Sequence, residues 1–338
     1  MPSPVAISDD ARTIVLLCSS VAASRAASAK PLGPAGWAKM AARLVDRGVP
    51  PGALLGMSVT GSGGLTEILG DLELNPEDTG RQLERSAHLG FELERLASRG
   101  IAILTVIDDS YPARLRDRLG PKAPPVLFTA GDASILDAGG VAIVGSRDVD
   151  PAGASFAESV ASAAARENRV VVSGGARGVD QVAMAAAFAA GGRVAGLLPE
   201  GIERRLREPS TRAALADGQV ALASPYNPTA PFSAGAAMGR NKLIYALADV
   251  AVIVASAAES GGTWAGAVEA MKAKWVPVYV RTGPGAPAGN ERLIEAGARP
   301  LSSPEAPPVE QPHSMEEAPP EAHRAAEELR PVQRTLFD

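Results

Sequence analysis

The sequence contains few of the residues that build metal centres and nucleophilic active sites. Its 338 residues include one cysteine, Cys18, and three histidines, His88, His313 and His323. A single cysteine cannot form an intrachain disulfide, which is typical of a reducing compartment. The histidines are too few and too scattered for a zinc site or a catalytic triad. We therefore expect no metal and no cofactor, and most classes of hydrolase are disfavoured.

Long hydrophobic runs are also lacking. The strongest candidate, residues 13–23, is too short to cross a bilayer. Asp9 and Asp10 precede it, where a signal peptide has basic residues. This stretch therefore predicts a buried helix in a cytoplasmic protein. Aromatic residues make up only 4% of a chain that is 46% hydrophobic, which predicts a sizeable core packed by small side chains.

The formal net charge of −5 is unevenly distributed. Residues 302–338 contain eight acidic and three basic side chains, so the rest of the chain is neutral. A neutral body can still carry a local basic groove for phosphate groups. The same segment is rich in proline, glutamate and alanine, and it predicts a disordered acidic tail because it has little apolar surface to bury.

Two patterns precede that tail. Residues 1–98 repeat apolar side chains every three or four positions between glycine and proline breaks, which predicts a small helical domain. Residues 99–301 alternate short β-branched runs with helical stretches, which predicts an α/β fold: a Rossmann-like, doubly wound and mostly parallel sheet. The predicted strands are 101–106, 126–129, 141–144, 169–172, 193–198, 219–223, 250–254 and 275–280. The predicted helices between them are 152–166, 179–190, 234–247, 265–273 and 291–296.

Two glycine turns follow predicted strands in this region. Gly145, Ser146 and Arg147 follow the first, where glycine would let the backbone approach an anion, although such a turn is as often mere punctuation. Residues 172–180 form the second, with Ser173, Gly174, Arg177 and Gly178 before a helix whose N-terminal amides favour phosphate. Asp180 would either cap that helix or hold an arginine. The turn has neither Walker nor dinucleotide-binding spacing.

Two further motifs come later in the chain. Arg240, Asn241 and Lys242 place two cations around an asparagine, which suits phosphates and either a base edge or a loop backbone. The alternative is a solvated helix face. Ser260, Gly261 and Gly262 open a helix and offer amides and a hydroxyl to phosphate or sugar, while the nearby Trp264 is either a stacking ring or a packing residue.

Together these motifs resemble the DNA processing protein A (DprA/Smf) family. The similarity extends from about residue 101 to 280 and is carried by residues 111–115, 124–128, 142–147, 173–180, 240–242 and 260–262. It implies a homodimeric, non-enzymatic protein that protects single-stranded DNA and loads RecA in recombination or natural transformation. By position, it implies phosphate contacts at Arg147, Arg177, Arg240 and Lys242, and a pocket shaped by Gly145, Ser146, Ser173, Gly174 and Gly178.

Several positions depart from the family pattern. Met184 stands where the family commonly has a histidine, and Glu200 interrupts a turn of small residues. Ser224-Pro225-Tyr226 replaces a more usual Ser-Glu-Pro. No C-terminal stretch resembles the winged helix of many members. These differences indicate a divergent branch.

The end of the tail and one acidic residue suggest further hypotheses. Gln333, Leu336 and Phe337 resemble the short motif by which bacterial proteins dock on the DNA polymerase sliding clamp, with apolar anchors on a flexible linker. An enzymatic alternative is a related nucleotide phosphoribohydrolase, with Glu269 as its acid near a Gly-Gly-Thr loop. A third alternative is a scaffold that senses a nucleotide signal. The cations at 240–242 favour DNA over both.

Overall fold

The computed structural model describes residues 7–23, 29–70 and 72–309. The N-terminal region is helical, as predicted. Its first helix begins where the Ser8 hydroxyl accepts a hydrogen bond from the Ala11 amide at 3.1 Å. The helix predicted over 13–23 therefore lies earlier in the chain, since it begins at Asp9 and ends at Cys18, where Ser19 turns to an extended conformation. Its helices are α1 (Asp9–Cys18), α2 (Pro34–Asp46), a 3₁₀ turn (Pro51–Gly56), α3 (Leu65–Leu69), α4 (Pro76–Leu83) and α5 (Ser86–Ala97). Within the described residues, every helix is too short or too polar to span a bilayer.

In the described part of the chain nine strands form one sheet, and the predicted fold class is confirmed. The strands are β1 (Ala102–Thr105), β2 (Val126–Gly131), β3 (Val141–Val144), β4 (Val171–Ser173), β5 (Val194–Leu197), β6 (Val220–Ser224), β7 (Val250–Ile253), β8 (Val278–Arg281) and β9 (Arg299–Leu301). Their order is β1-β2-β6-β5-β4-β3-β7-β8-β9. All eight predicted strands are present. Strand β9 was missed because it is three residues long and mostly exposed.

The sheet has a switch point between β3 and β7. Strand β3 pairs in parallel with β4 on one side and with β7 on the other, so that Val141 faces both Val171 and Val250. Strands β4, β5 and β6 follow one another on one side of β3, and strands β7, β8 and β9 follow one another on its other side. Doubly wound sheets bind ligands at the carboxyl ends of the strands at such a point. The four residues of β3 are all buried, as expected for a strand covered on both faces.

Helices and short turns connect these strands. They are α6 (Ala113–Leu119), a 3₁₀ turn (Gly120–Lys122), α7 (Ser134–Asp137), α8 (Pro151–Arg166), α9 (Val179–Ala189), α10 (Glu203–Leu206), α11 (Pro209–Ala216), α12 (Ala234–Leu247), α13 (Gly261–Lys272) and α14 (Ala288–Glu295). Alanines 157, 161 and 164 are buried on α8, and alanines 183 and 187 on α9. Small side chains thus form much of the core, as the composition predicted.

Contacts divide the chain into two compact units. The described residues of the first lie in residues 7–111 and 119–128, and those of the second are 112–118 and 129–309. The boundaries at 98–99 and 301–302 stay predictions. Of the predicted tail, the structure describes residues 302–309. In that stretch the carbonyl of Pro307 accepts a hydrogen bond from Arg169 at 2.6 Å.

Candidate nucleic-acid interface

The loops after β3 and β4 meet backbone to backbone. The amide of Val179 donates to the carbonyl of Ser146 at 3.2 Å. Gly178 has a φ of +87°, and a Cβ there would lie 2.6 Å from the carbonyl oxygen of Arg147. Only glycine fits such a junction without displacing the neighbouring loop. The amide of Ser146 donates in turn to Ala255 beyond β7 at 2.9 Å, so three loops converge at the switch point.

Beneath these loops lies a set of polar residues, the buried Ser173, Asp180 and Arg240 and the half-buried Asn241, which we call the floor. Arg240 on α12 is only 3% exposed, and its Nη1 donates to the carbonyl of Leu197. Its guanidinium lies against Gly174, where a Cβ would overlap it. The Ser173 hydroxyl donates to the carbonyl of Ile143 at 2.6 Å. Arg240 and Ser173 therefore hold strands and loops together from within.

Asp180 occupies the anion position of the glycine-rich loop. Its carboxylate accepts a hydrogen bond from the Ala176 amide at 3.4 Å, and backbone hydrogen bonds from Gly174 and Gly145 also reach it. Burial raises the pKa of Asp180 to about 6, although the nearby positive charge of Arg240 and these hydrogen bonds lower it. The Ala176 and Gly174 amides of the loop before α9 thus bind a carboxylate of the same chain.

Arg240 is the cation that faces this carboxylate. Burial lowers the pKa of Arg240 to about 10, and Asp180 opposes that change. Both groups are therefore charged at neutral pH, in surroundings from which water is largely excluded. The two sequence hypotheses for Asp180 were a helix cap and a partner for an arginine. The cap hypothesis is wrong, since the N-cap of α9 is Gly178, which has no side chain to cap that helix. The carboxylate instead binds amides of the preceding loop and lies near the charge of Arg240.

Asn241 joins α12 to the loop that follows β7. Its Nδ2 donates to the carbonyl of Gly262 at 3.0 Å, so it bonds a loop backbone, one of its two predicted roles. Gly261 begins α13 with a φ of +82°, and the exposed Ser260 precedes it without a side-chain hydrogen bond to the first turn. Trp264 is half-buried on the same helix.

A second set of residues, Arg147, Asp148, Arg177 and Phe232, is exposed above the floor, and we call it the rim. Nη2 of Arg177 lies 2.5 Å from Oδ1 of Asp148, with 71% and 83% of the two side chains exposed. The guanidinium carbon of Arg147 lies 5.4 Å from the ring centroid of Phe232, which is 42% exposed. The rim therefore presents two guanidinium groups and one aromatic ring to solvent. Lys242 is half-buried on α12.

Sequence reasoning missed several residues of this region. Asp148 and Phe232 lie outside the motifs, and nothing in the sequence around them distinguishes them as functional residues. Arg205 donates to the carbonyl of Gly175 at 3.2 Å and lies 3.5 Å from the buried Glu200. In the sequence Glu200 stands out only as a departure from the family pattern. In the structure it is the counter-charge of Arg205, which supports the glycine-rich loop.

The remaining sequence hypotheses concern residues away from the floor and the rim. Glu269 is exposed on α13, apart from the buried cluster. Met184 lies on α9, and its methyl group would be 3.0 Å from a Cβ on Gly196 of β5, so it packs against the sheet. Gln333, Leu336 and Phe337 lie outside the described residues.

Comparisons with known proteins point to one family. The profile of DNA recombination-mediator protein A matches residues 102–307. The DNA processing protein DprA of Mycobacterium tuberculosis is 30% identical over 237 residues, a match that spans 64% of this chain and 59% of that protein. The DprA of Streptococcus pneumoniae is 34% identical over 117 residues, 35% of this chain and 39% of that one. The crystal structure of the S. pneumoniae protein aligns with a TM-score of 0.67 at 22% identity, covering 89% and 96% of the two chains.

Proposed function

The chain belongs to the family of DNA recombination-mediator protein A, and from that premise we propose that it binds single-stranded DNA across the rim at the carboxyl edge of the sheet. In this proposal Arg147 and Arg177 contact phosphates, and the floor holds the loops that carry them. Guanidinium groups suit phosphate oxygens because their planar fork donates two parallel hydrogen bonds.

The observation that carries the proposal is the carboxylate of Asp180 in the glycine-rich loop. A mononucleotide pocket would use the amides of that loop for a phosphate, but here the Ala176 and Gly174 amides bind Asp180, which brings its negative charge into the loop. A buried negative charge repels a phosphate at that point, so this proposal assigns phosphate contacts to the exposed guanidinium groups of Arg147 and Arg177. Separate cations on a surface suit a polyanion better than a single small nucleotide. We therefore favour DNA over a phosphoribohydrolase or a nucleotide sensor.

Phe232 gives the rim a preference for unpaired bases. Its ring is partly exposed beside Arg147, so a base could stack on it while the neighbouring phosphate contacts the guanidinium. Such stacking requires a base that is not already stacked within a duplex. Arg240 has a positioning role in this proposal, because its guanidinium is buried and already bonded to Leu197.

The biological setting and the partners follow only from the family resemblance and the tail. A role in recombination or natural transformation, RecA loading, a homodimer, a cytoplasmic location and the absence of enzymatic activity stay predictions. The same holds for the sliding clamp, whose docking residues Gln333, Leu336 and Phe337 lie outside the described part of the chain.

The test is a titration of fluorescent single-stranded and double-stranded oligonucleotides over a series of salt concentrations. We expect a preference for single strands and affinity that falls steeply with salt. Arg147→Ala and Arg177→Ala should each weaken binding about three- to tenfold and reduce the salt dependence by about one released counterion. The matched control is Arg292→Ala, an exposed arginine that pairs with Glu295 on α14. Absent or salt-insensitive binding by the folded protein would contradict the proposal.

A further inference from the structure

The ion pair between Asp148 and Arg177 connects two loops of the proposed DNA site. Asp148 follows β3 and Arg177 follows β4, and their side chains meet at 2.5 Å. An anionic group thus lies against one of the two guanidinium groups that the rim presents to phosphate. A phosphate bound at Arg177 would have to displace this carboxylate or lie beside it.

The backbone holds both residues of this pair close together. The amide of Asp148 donates to the Ser146 hydroxyl at 3.1 Å, and that hydroxyl donates to the Asp148 carbonyl at 3.2 Å. Gly178, next to Arg177, packs against the carbonyl of Arg147, next to Asp148. The backbone therefore holds Asp148 and Arg177 at fixed, neighbouring positions. Their side chains can pair because the two loops meet there.

Exposure decides between two roles for Asp148. A carboxylate that positions an arginine is usually shielded from water, but this pair is largely solvated, and solvated pairs restrain their side chains only weakly. The negative charge of Asp148 nevertheless remains a few ångströms from any phosphate at Arg177, where like charges repel. We therefore expect Asp148 to compete with DNA phosphates for Arg177 more than it helps to position the Arg177 side chain.

We propose that Asp148 is an affinity-setting residue, which masks Arg177 in the free protein and is displaced from it by a DNA phosphate. This inference rests on the proposed function. In this proposal Asp148 weakens DNA binding, so the natural protein binds DNA less tightly than it would with an uncharged residue at position 148.

The test compares Asp148→Asn with the natural protein in the salt-dependent titration of single-stranded DNA. Asparagine keeps the size of the side chain and removes its charge. We expect affinity to rise about three- to tenfold at low salt and the gain to shrink as salt increases. In an Arg177→Ala background most of the gain should disappear, because the masked guanidinium is gone. Unchanged thermal unfolding would show that the variant folds normally.

The control for net charge is Asp217→Asn, an exposed acid that follows α11 and precedes β6, at the opposite edge of the sheet. Weaker or unchanged binding by Asp148→Asn would overturn the inference while leaving DNA binding intact. An equal gain from Asp217→Asn, or a full gain in the Arg177→Ala background, would also overturn it. If the natural protein does not bind DNA at all, the proposed function fails, and this inference fails with it.

Discussion

The floor and the rim use the same chemical groups in opposite ways. Each contains an arginine and an aspartate from loops or helices around the switch point. Arg240 of the floor is 3% exposed, whereas 71% of the Arg177 side chain in the rim is exposed. Removing a buried charge leaves its partner uncompensated in a medium of low polarity, while removing a solvated charge costs the fold little. The comparison separates residues that build the site from residues that meet the ligand.

The sharpest test of this division is Arg240→Ala. We expect it to lower the free energy of unfolding by about 3 kcal/mol, because Asp180 would remain buried without its cation. Urea denaturation at neutral pH measures this effect. Arg177→Ala is the control, and it should change the unfolding free energy by less than about 0.5 kcal/mol. If both substitutions lowered the free energy of unfolding equally, the division into a structural floor and a ligand-binding rim would be wrong.

The second test uses the pH dependence that burial gives to Asp180. Its pKa is about 6 in the folded protein, above the value of about 3.9 for an unperturbed aspartate. Between these values the folded state binds more protons than the unfolded state, so stability falls as pH rises. The contribution is fully present below about pH 4 and is lost as pH passes about 6. Its full size is about 2–3 kcal/mol.

Urea denaturation at several pH values between 4 and 7 measures this contribution as the difference between the natural protein and Asp180→Asn. We expect that difference to depend on pH, because asparagine does not titrate. The control is Phe232→Ala, which alters a rim residue that does not titrate and should leave the pH profile of stability unchanged. A parallel profile for Asp180→Asn and the natural protein would show that the Asp180 carboxyl is not perturbed by burial.

The sheet was largely predictable because its strands are buried on both faces. Residues 141–144 and 250–254 are uninterrupted apolar runs, and such runs lie at the centre of parallel sheets. Helix α12 was predicted at its observed bounds, 234–247. Strand β9 was not, since Arg299-Pro300-Leu301 has no apolar pattern, and its register comes from pairing with β8.

The sequence predicted which residues lie in the candidate site better than it predicted what each of them does there. The family resemblance implied phosphate contacts at Arg147, Arg177 and Arg240. It did not reveal that Arg240 points inward, because that orientation depends on the packing of its guanidinium against Gly174. Asp148 was missed for a similar reason. It lies 29 residues from Arg177, and only the junction of the two loops brings them together.

The smallest expected effect belongs to Phe232, the aromatic member of the rim. Phe232→Ala should weaken binding of single-stranded DNA about fivefold, near the lower end of the range for one stacked base, because the ring is only partly exposed. The titration of single strands measures this loss. Phe232→Trp should retain the affinity, since a larger ring still offers a stacking face. Met238→Ala is the control, because Met238 is also exposed and apolar but has no ring.

The salt dependence distinguishes stacking by Phe232 from indirect support of Arg147. Phe232→Ala removes no charge, so we expect an unchanged salt slope, whereas Arg147→Ala should reduce it by about one. If the ring contacts a base itself, Phe232→Ala should still weaken binding when Arg147 is alanine, although the contact between the two side chains keeps their effects from being strictly multiplicative. If Phe232 serves only to hold the guanidinium, Phe232→Ala will have no further effect once Arg147 is alanine, and the ring will then belong with the floor as a residue that builds the site.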